Sequence, residues 1–174
     1  EVNPGVQELK FGKKIVDTKL GTRASLFVSP FFQLGLGAPA AENGGEVLVG
    51  TLAWTGNFRF CFEVDQNGGL RVISGINPYF SRRTLKKGET FKTPEFIFTL
   101  SGDGAGEASR NLHEWARHYQ IKDGAGNRMT LLNNWEATYF DFNQDKLLSL
   151  IGEAKELGVD MFLLDDGWFG TKYP

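Results

Sequence analysis

The run Phe58-Arg59-Phe60-Cys61-Phe62-Glu63-Val64-Asp65 constrains the fold of this chain more than any other segment. Its apolar residues recur at every second position, which is the period of a strand. Phe58, Phe60, Phe62 and Val64 fall on one face, and Arg59, Glu63 and Asp65 on the other. A strand of this kind belongs to a sheet buried on one side and wet on the other. Asn67-Gly68 follows, the dipeptide favoured where a tight hairpin needs positive φ. Residues 70–73 then read as the returning strand, with further strands at 46–54 and 95–100. Turns are marked by Asn43-Gly44-Gly45, Thr55-Gly56-Asn57 and Lys87-Gly88. Short strands at this spacing predict an antiparallel β-sandwich over residues 1–104.

Composition narrows the classes of function. Fifteen Phe and four Trp supply apolar area for a dense core. The 174 residues suit one full domain or two partial ones. A formal net charge of −2 gives no electrostatic basis for binding nucleic acid. Arg82-Arg83 and Lys86-Lys87 are short pairs that read as a solvated hairpin end. Cys61 is alone, which excludes an intrachain disulfide and a cysteine zinc site. Alternating with Phe60 and Phe62, it reads as a small strand residue rather than a reactive thiol. No apolar stretch approaches membrane-spanning length. His113 and His118 stand five apart, a spacing that does not put them on one helical face for a metal, and read as surface or interdomain residues. Phosphate-loop, zinc and Ser-His-Asp patterns are missing, so neither metal nor cofactor is expected. The chain opens on Glu1 without a signal-peptide pattern and stops at Pro174 just after an apolar run. Both ends are read as cuts, and the compartment is left unassigned.

The pattern changes after Ser101. Residues 102–106 read as a loop, and 107–119 as a helix with Leu112, Trp115, Ala116 and Tyr119 on one face. This helix and the loop after it, residues 105–128, are expected to link two domains. From Met129 the order becomes strand, helix, strand over 129–174, beginning with a strand at 130–135. Asn143 suits an N-cap, and Asp145 the first turn of the helix. Leu147, Leu148, Ile151 and Ala154 form its expected apolar face. Gly158 and Val159 suit a Schellman ending. Met161-Phe162-Leu163-Leu164 reads as a parallel strand buried on both faces.

That buried run ends at Asp165-Asp166-Gly167-Trp168. Carboxylates leaving a buried strand must be paired, hydrogen-bonded or placed at an open mouth. In parallel α/β folds the carboxyl ends of strands are where ligands bind. Neighbouring strand side chains point opposite ways. Asp165 and Asp166 therefore reach one ligand only if the chain twists, which Gly167 permits. Carboxylates that accept from hydroxyls, beside Trp faces, suit a sugar. The plainer reading is an ordinary Asp-Asp-Gly turn, with Trp168 and Phe169 as core plugs. Trp135 and Glu136, closing the preceding strand, tip the balance towards a site. Asn133 and Asn134 stay ambiguous, since polar residues in a buried strand usually satisfy neighbouring groups.

Two motifs carry a family resemblance. The run Leu132-Asn133-Asn134-Trp135-Glu136-Ala137-Thr138-Tyr139-Phe140-Asp141-Phe142 resembles the first barrel strand and loop of glycoside hydrolase family 36. Phe162-Leu163-Leu164-Asp165-Asp166-Gly167-Trp168-Phe169-Gly170 resembles the second, at the separation that family uses. Val64-Asp65-Gln66, Gly75-Ile76-Asn77-Pro78 and Gly88-Glu89-Thr90-Phe91-Lys92-Thr93-Pro94-Glu95 resemble the end of its N-terminal sandwich. The likeness covers roughly residues 45–174. Met129 departs from it, standing where the family often has Pro.

The resemblance implies a multidomain fragment: an antiparallel β-sandwich followed by the first β-α-β of a (β/α)8 TIM barrel. It implies an α-galactosidase that cleaves terminal α-linked galactose with retention of configuration, as in melibiose and raffinose. It assigns Asp165 and Asp166 to hydroxyls of the galactose ring, and Trp135 to the lining of the same pocket. A retaining glycosidase needs two carboxyl groups about 5–5.5 Å apart. The adjacent Asp165 and Asp166 invite that role, but the resemblance puts both catalytic Asp residues on later strands, beyond Pro174. The isolated chain is therefore expected to be inactive, and to associate through apolar faces that lack the rest of the barrel. The expected partner is an α-galactoside oligosaccharide, not nucleic acid or membrane; the resemblance leaves a homo-oligomer open. Competing readings are an α-N-acetylgalactosaminidase, a raffinose-processing galactosyltransferase, or a non-catalytic carbohydrate-binding sandwich.

Overall fold

The computed structural model describes residues 6–170. Residues 1–5 and 171–174, which open the expected sandwich and close the expected barrel segment, lie outside the described residues. The chain divides after Lys122 into two compact units.

In the first unit, β1 (Gly12–Asp17), β4 (Phe58–Val64) and β5 (Leu70–Ile76) form one antiparallel sheet in the order β1-β4-β5. A second sheet has the order β2-β3-β6, from β2 (Phe31–Leu36), β3 (Glu46–Leu52) and β6 (Phe96–Ser101). The alternation in β4 sets how the sheets meet. Phe58, Phe60 and Phe62 are buried, with Leu52, Phe32 and Leu34 of the second sheet packed in the same cluster. The Phe32 ring meets Phe60 and Phe62 edge-on, with centroids 5.3 and 5.0 Å apart. The opposite face of β4 is laced by ion pairs between register partners. Arg59 lies opposite Asp17 at 2.9 Å, and Glu63 lies between Lys13, at 2.6 Å, and Arg71. Hydrogen bonds from Lys13 and then Arg71 hold the Glu63 carboxyl below its ordinary range.

The hairpin after β4 closes differently from a two-residue Asn-Gly turn. Val64 pairs with Leu70, leaving residues 65–69 as the connection. Asp65 organises it: its carbonyl accepts from Gly68 N–H at 3.1 Å, and its Oδ1 from the N–H groups of Asn67 and Gly69. Only Gly68 needs positive φ, at 82°. β1 and β2 were not expected from the sequence. β1 is an edge strand that exposes Lys13, Lys14 and Ile15, and β2 carries Gly35, so neither shows the clean alternation of β4.

Helix α1 (Gly104–Tyr119) starts earlier than the predicted residue 107. Its first three N–H groups donate to carbonyls of an earlier loop: Gly104 to Gly45, Ala105 to Ala41 and Gly106 to Glu42, at 2.8–3.0 Å. A Cβ on Gly104 would come within 2.5 Å of the Glu42 carbonyl oxygen, so only glycine allows this approach. The helix packs Ala108 and Leu112 against Val47 and Val49, on the face of β3 opposite the sandwich core. It therefore belongs to the first compact unit.

In the second unit, β7 (Leu131–Asn133) and β8 (Met161–Leu163) run parallel, joined by α2 (Trp135–Thr138) and α3 (Gln144–Glu156). The ends of α3 follow from its sequence. The Asn143 side chain caps Lys146 N–H at 3.0 Å. Val159 N–H reaches Ala154 and Gly158 N–H reaches Lys155, the paired bonds of a Schellman motif, with Gly158 at φ 77°. The apolar faces expected to lack the rest of the barrel stand open. Met161, Leu163 and Leu164 are 45%, 45% and 37% exposed, not buried on both faces. On α3, Leu148 and Ile151 are 57% and 40% exposed, while Ala154 is buried and Leu147 and Leu150 are half-buried. The reason is geometric: among the described residues β8 pairs with β7 alone, and a two-stranded sheet cannot enclose a double-sided strand.

Candidate functional site

The parallel register of β7 and β8 decides where the second unit gathers its chemistry. Leu131 pairs with Met161, Leu132 with Phe162 and Asn133 with Leu163, so both strands finish together. Their starting ends are clamped. Asp160 Oδ2 accepts from the N–H and the hydroxyl of Thr130, both at 2.9 Å, and Met161 N–H donates to the Thr130 carbonyl at 3.0 Å. The Thr130 N–H first, and then its hydroxyl, hold the Asp160 carboxyl below its ordinary range.

At the finishing ends two consecutive amides tie the strands. Asn133 Nδ2 donates to Asp165 Oδ2 at 2.6 Å, and its Oδ1 accepts from Trp135 N–H at 2.8 Å. Asn134 is fully buried. Its N–H donates to the Leu163 carbonyl at 3.3 Å, its Oδ1 accepts from Asp165 N–H at 2.8 Å, and its Nδ2 donates to Thr138 Oγ1 at 3.0 Å. Asp165 Oδ1 accepts from Asp166 N–H at 2.8 Å. The half-buried Asp165 carboxylate is thus held through both oxygens by neutral donors, while Asp166 is exposed.

Trp135 opens α2 rather than ending a strand, and the residue is half-buried. Phe140 and Tyr139 meet it edge-on, with centroids 4.9 and 5.3 Å away. Tyr139 sits at φ 47°, in the left-handed region a bulky residue avoids, and its N–H donates to the Trp135 carbonyl at 2.7 Å. Gly167 stands at φ 96°, and a Cβ there would lie 3.0 Å from Phe142 Cε1 and 3.1 Å from Phe140 Cδ1. Phe140 therefore lies beside both Trp135 and the turn after Asp166, so the loops after the two strands pack together. Glu136 is exposed and accepts from the Tyr139 hydroxyl at 3.3 Å. Trp168 is exposed, with Phe169 half-buried beside it at 5.6 Å, which does not fit a core plug at Trp168.

The residues singled out from the sequence thus meet at one end of one β-α-β unit. The linking roles of Asn133 and Asn134 were not legible. The signal was present, since an amide both donates and accepts, but their partner lies about thirty residues further on. His113 and His118 are exposed on α1, and Cys61 is half-buried on β4. Among the described residues, no group of three or more His, Cys, Asp or Glu could hold a metal ion. No helix among them is long and apolar enough to cross a membrane.

Comparison with known proteins accounts for both units. The family model described as glycosyl hydrolase family 36 N-terminal domain matches residues 1–86, and that described as Melibiase matches residues 90–174. The chain is 42% identical to α-galactosidase AgaA of Geobacillus stearothermophilus over 147 residues, which is 83% of this chain and 20% of that protein. It is 41% identical to α-galactosidase Mel36A of Lactobacillus acidophilus over 165 residues, 92% of this chain and 22% of that protein. The crystal structure of AgaA superposes with a TM-score of 0.74 at 38% identity, covering 93% of this chain and 23% of the enzyme. A variant of that enzyme in complex with raffinose superposes equally well, with a TM-score of 0.74 at 37% identity over 94% of this chain and 23% of the enzyme. The fold is accordingly a β-sandwich followed by the start of a catalytic-type barrel. The chain belongs to glycoside hydrolase family 36. It spans about a fifth of the length of the relatives it matches, 20% and 22% for the two named.

Proposed function

We propose that this chain is part of an α-galactosidase that hydrolyses terminal α-linked galactose with retention, and that it supplies one wall of the galactose pocket. We assign residues 1–104 to the sandwich, 105–128 to a helix and loop that follow it, and 129–174 to the barrel. The observation that carries the reading is the hydrogen-bonded unit at the ends of β7 and β8, in which Asn133 ties Asp165 to Trp135. Such an arrangement suits a hexose. Exposed Asp166 and the held Asp165 accept from ring hydroxyls, and an indole face covers the C–H side of the ring. The relatives named α-galactosidase, and the AgaA variants solved with raffinose and with stachyose, support the substrate class.

In this reading Asp165 and Asp166 bind, and the bond is broken by two further Asp carboxyls on later strands. Their part in catalysis is indirect. Hydrogen bonds to the ring fix it against the reacting carboxyls, and those that strengthen as the oxocarbenium-like state forms lower the barrier. The test is Michaelis kinetics of the complete protein on an aryl α-galactoside and on raffinose, before and after Asp166→Ala. A hydrogen bond to a charged group contributes about 1.5–3 kcal/mol. KM should therefore rise roughly tenfold or more, with a fall in kcat, at 1.4 kcal/mol per factor of ten. Kinetics untouched by the substitution would dismiss the binding role, and an unsubstituted protein inert towards both substrates would dismiss the activity.

A further inference from the structure

We propose that Asn133 is a positioning residue of the galactose site, one side-chain amide that sets the Asp165 carboxylate and the Trp135 backbone relative to each other. The inference rests on the galactoside reading above and adds to it the device that holds the pocket wall in shape.

The geometry leaves the amide one orientation. Trp135 N–H can only donate, so the Asn133 oxygen faces it, 2.8 Å away. The amide nitrogen then points to Asp165 Oδ2, 2.6 Å away. A carboxylate accepts about two hydrogen bonds on each oxygen. Asn133 and the Asp166 N–H each take one, on Oδ2 and Oδ1 respectively. Acceptor capacity is left on both oxygens while the rotamer is held. A carboxylate fixed before a sugar arrives loses less rotational freedom on binding. The same amide holds the N–H of Trp135 at the start of α2, where the indole leaves the backbone. Moving Asn133 would disturb two sugar-facing groups at once. Asn134 differs in kind: it is fully buried and bonds to Asp165 only through the backbone N–H, so it ties strand to strand and leaves the carboxylate alone.

The experiment is a double-mutant cycle in the complete protein, read by KM and kcat on an aryl α-galactoside, with Asn133→Asp, Asp165→Ala and the two combined. Asn133→Asp keeps the oxygen that accepts from Trp135 N–H and replaces the donor with an oxygen facing the Asp165 carboxylate. KM is expected to rise at least tenfold, by a larger factor than kcat falls. In the Asp165→Ala background the same substitution is expected to change KM less than threefold, because the group it acts through is gone. If that variant fails to fold, Asn133→Ser runs through the same cycle. It gives up the Trp135 contact as well, so part of its effect persists in the Asp165→Ala background, and a smaller fold-change there than in the unsubstituted background is the expected result. An equal fold-change in both backgrounds shows Asn133 to be scaffold and overturns the proposal. So does a KM within threefold of the unsubstituted protein when Asp165→Ala by itself raises KM. No change from Asp165→Ala alone overturns the sugar-binding role of Asp165 and the role of Asn133 with it, whereas no turnover by the unsubstituted protein overturns the galactoside reading as a whole.

Discussion

Replacing Asn134 with leucine should loosen β7 from β8 while leaving the first unit untouched. The side chain is fully buried, and among the described residues no buried side-chain nitrogen or oxygen lacks a partner. Leucine keeps the branching of asparagine, so no cavity opens, and its methyl groups, at positions now 2.8 and 3.0 Å from their partners, add some overpacking that loosens the strands in the same direction. The larger change is in hydrogen bonding. Asp165 N–H loses its acceptor at 2.8 Å, and Thr138 Oγ1 loses a donor at 3.0 Å. The Thr138 hydroxyl keeps the Asn134 carbonyl as acceptor at 3.1 Å, so the orphaned Asp165 N–H dominates. An unsatisfied buried donor costs about 1–3 kcal/mol. Taking about 2 kcal/mol, at 1.4 kcal/mol per tenfold, local opening becomes roughly thirty times more frequent. Amide hydrogen exchange reads this directly. Met161 N–H, bonded to the Thr130 carbonyl at the far end of the strand pair, should exchange about thirtyfold faster. Leu52 N–H, bonded to the Pro30 carbonyl in the sandwich, should not change. A Met161 rate within about threefold of the original would show that the amide does not hold the strands. Equal acceleration at Leu52 would show a global effect rather than a local lock.

Gly167→Ala should weaken the same region by another route. The residue stands at φ 96°, where a Cβ is strained and would press on Phe142 at 3.0 Å, so a penalty of about 1–2 kcal/mol is expected. Melting followed by near-ultraviolet dichroism of the aromatic cluster should shift to lower temperature, and an unmoved curve would contradict the packing described. Asp160 should make the second unit acid-sensitive. Its carboxyl is held below the ordinary range by the Thr130 N–H and hydroxyl, so its stabilisation is complete above the unfolded value, about 4. It is lost as pH falls through the lower folded value. Met161 exchange, corrected for intrinsic rate, should therefore report easier opening as pH falls below that unfolded value, with a flatter slope in Asp160→Asn. Identical slopes in the two proteins would remove Asp160 from the account.

Local features of the fold were legible because their causes are local. The alternation of Phe58, Phe60 and Phe62 buried one face of β4. Asn143 and Gly158 closed the ends of α3 through bonds that span three to five residues. The hairpin shows the limit even at short range. Asn67-Gly68 marked the reversal, but the Asp65 side chain chose its form by accepting two N–H groups. The start of α1 was misjudged because its first N–H groups are satisfied by residues 41–45, some sixty positions earlier.

The sequence by itself determined the sandwich, the β-α-β order and the acidic end of the second strand of that unit; the family came from the resemblance of whole motifs. The first three are properties of periodicity, capping and residue type, which neighbouring residues carry between them. Only the tertiary structure decided that Asn133 holds Asp165 to Trp135, that Asn134 ties the strands from within, and that Met161 and Leu163 lie open. A hydrogen bond between residues thirty apart leaves no local periodic trace, and burial depends on which elements a strand meets rather than on its own apolarity.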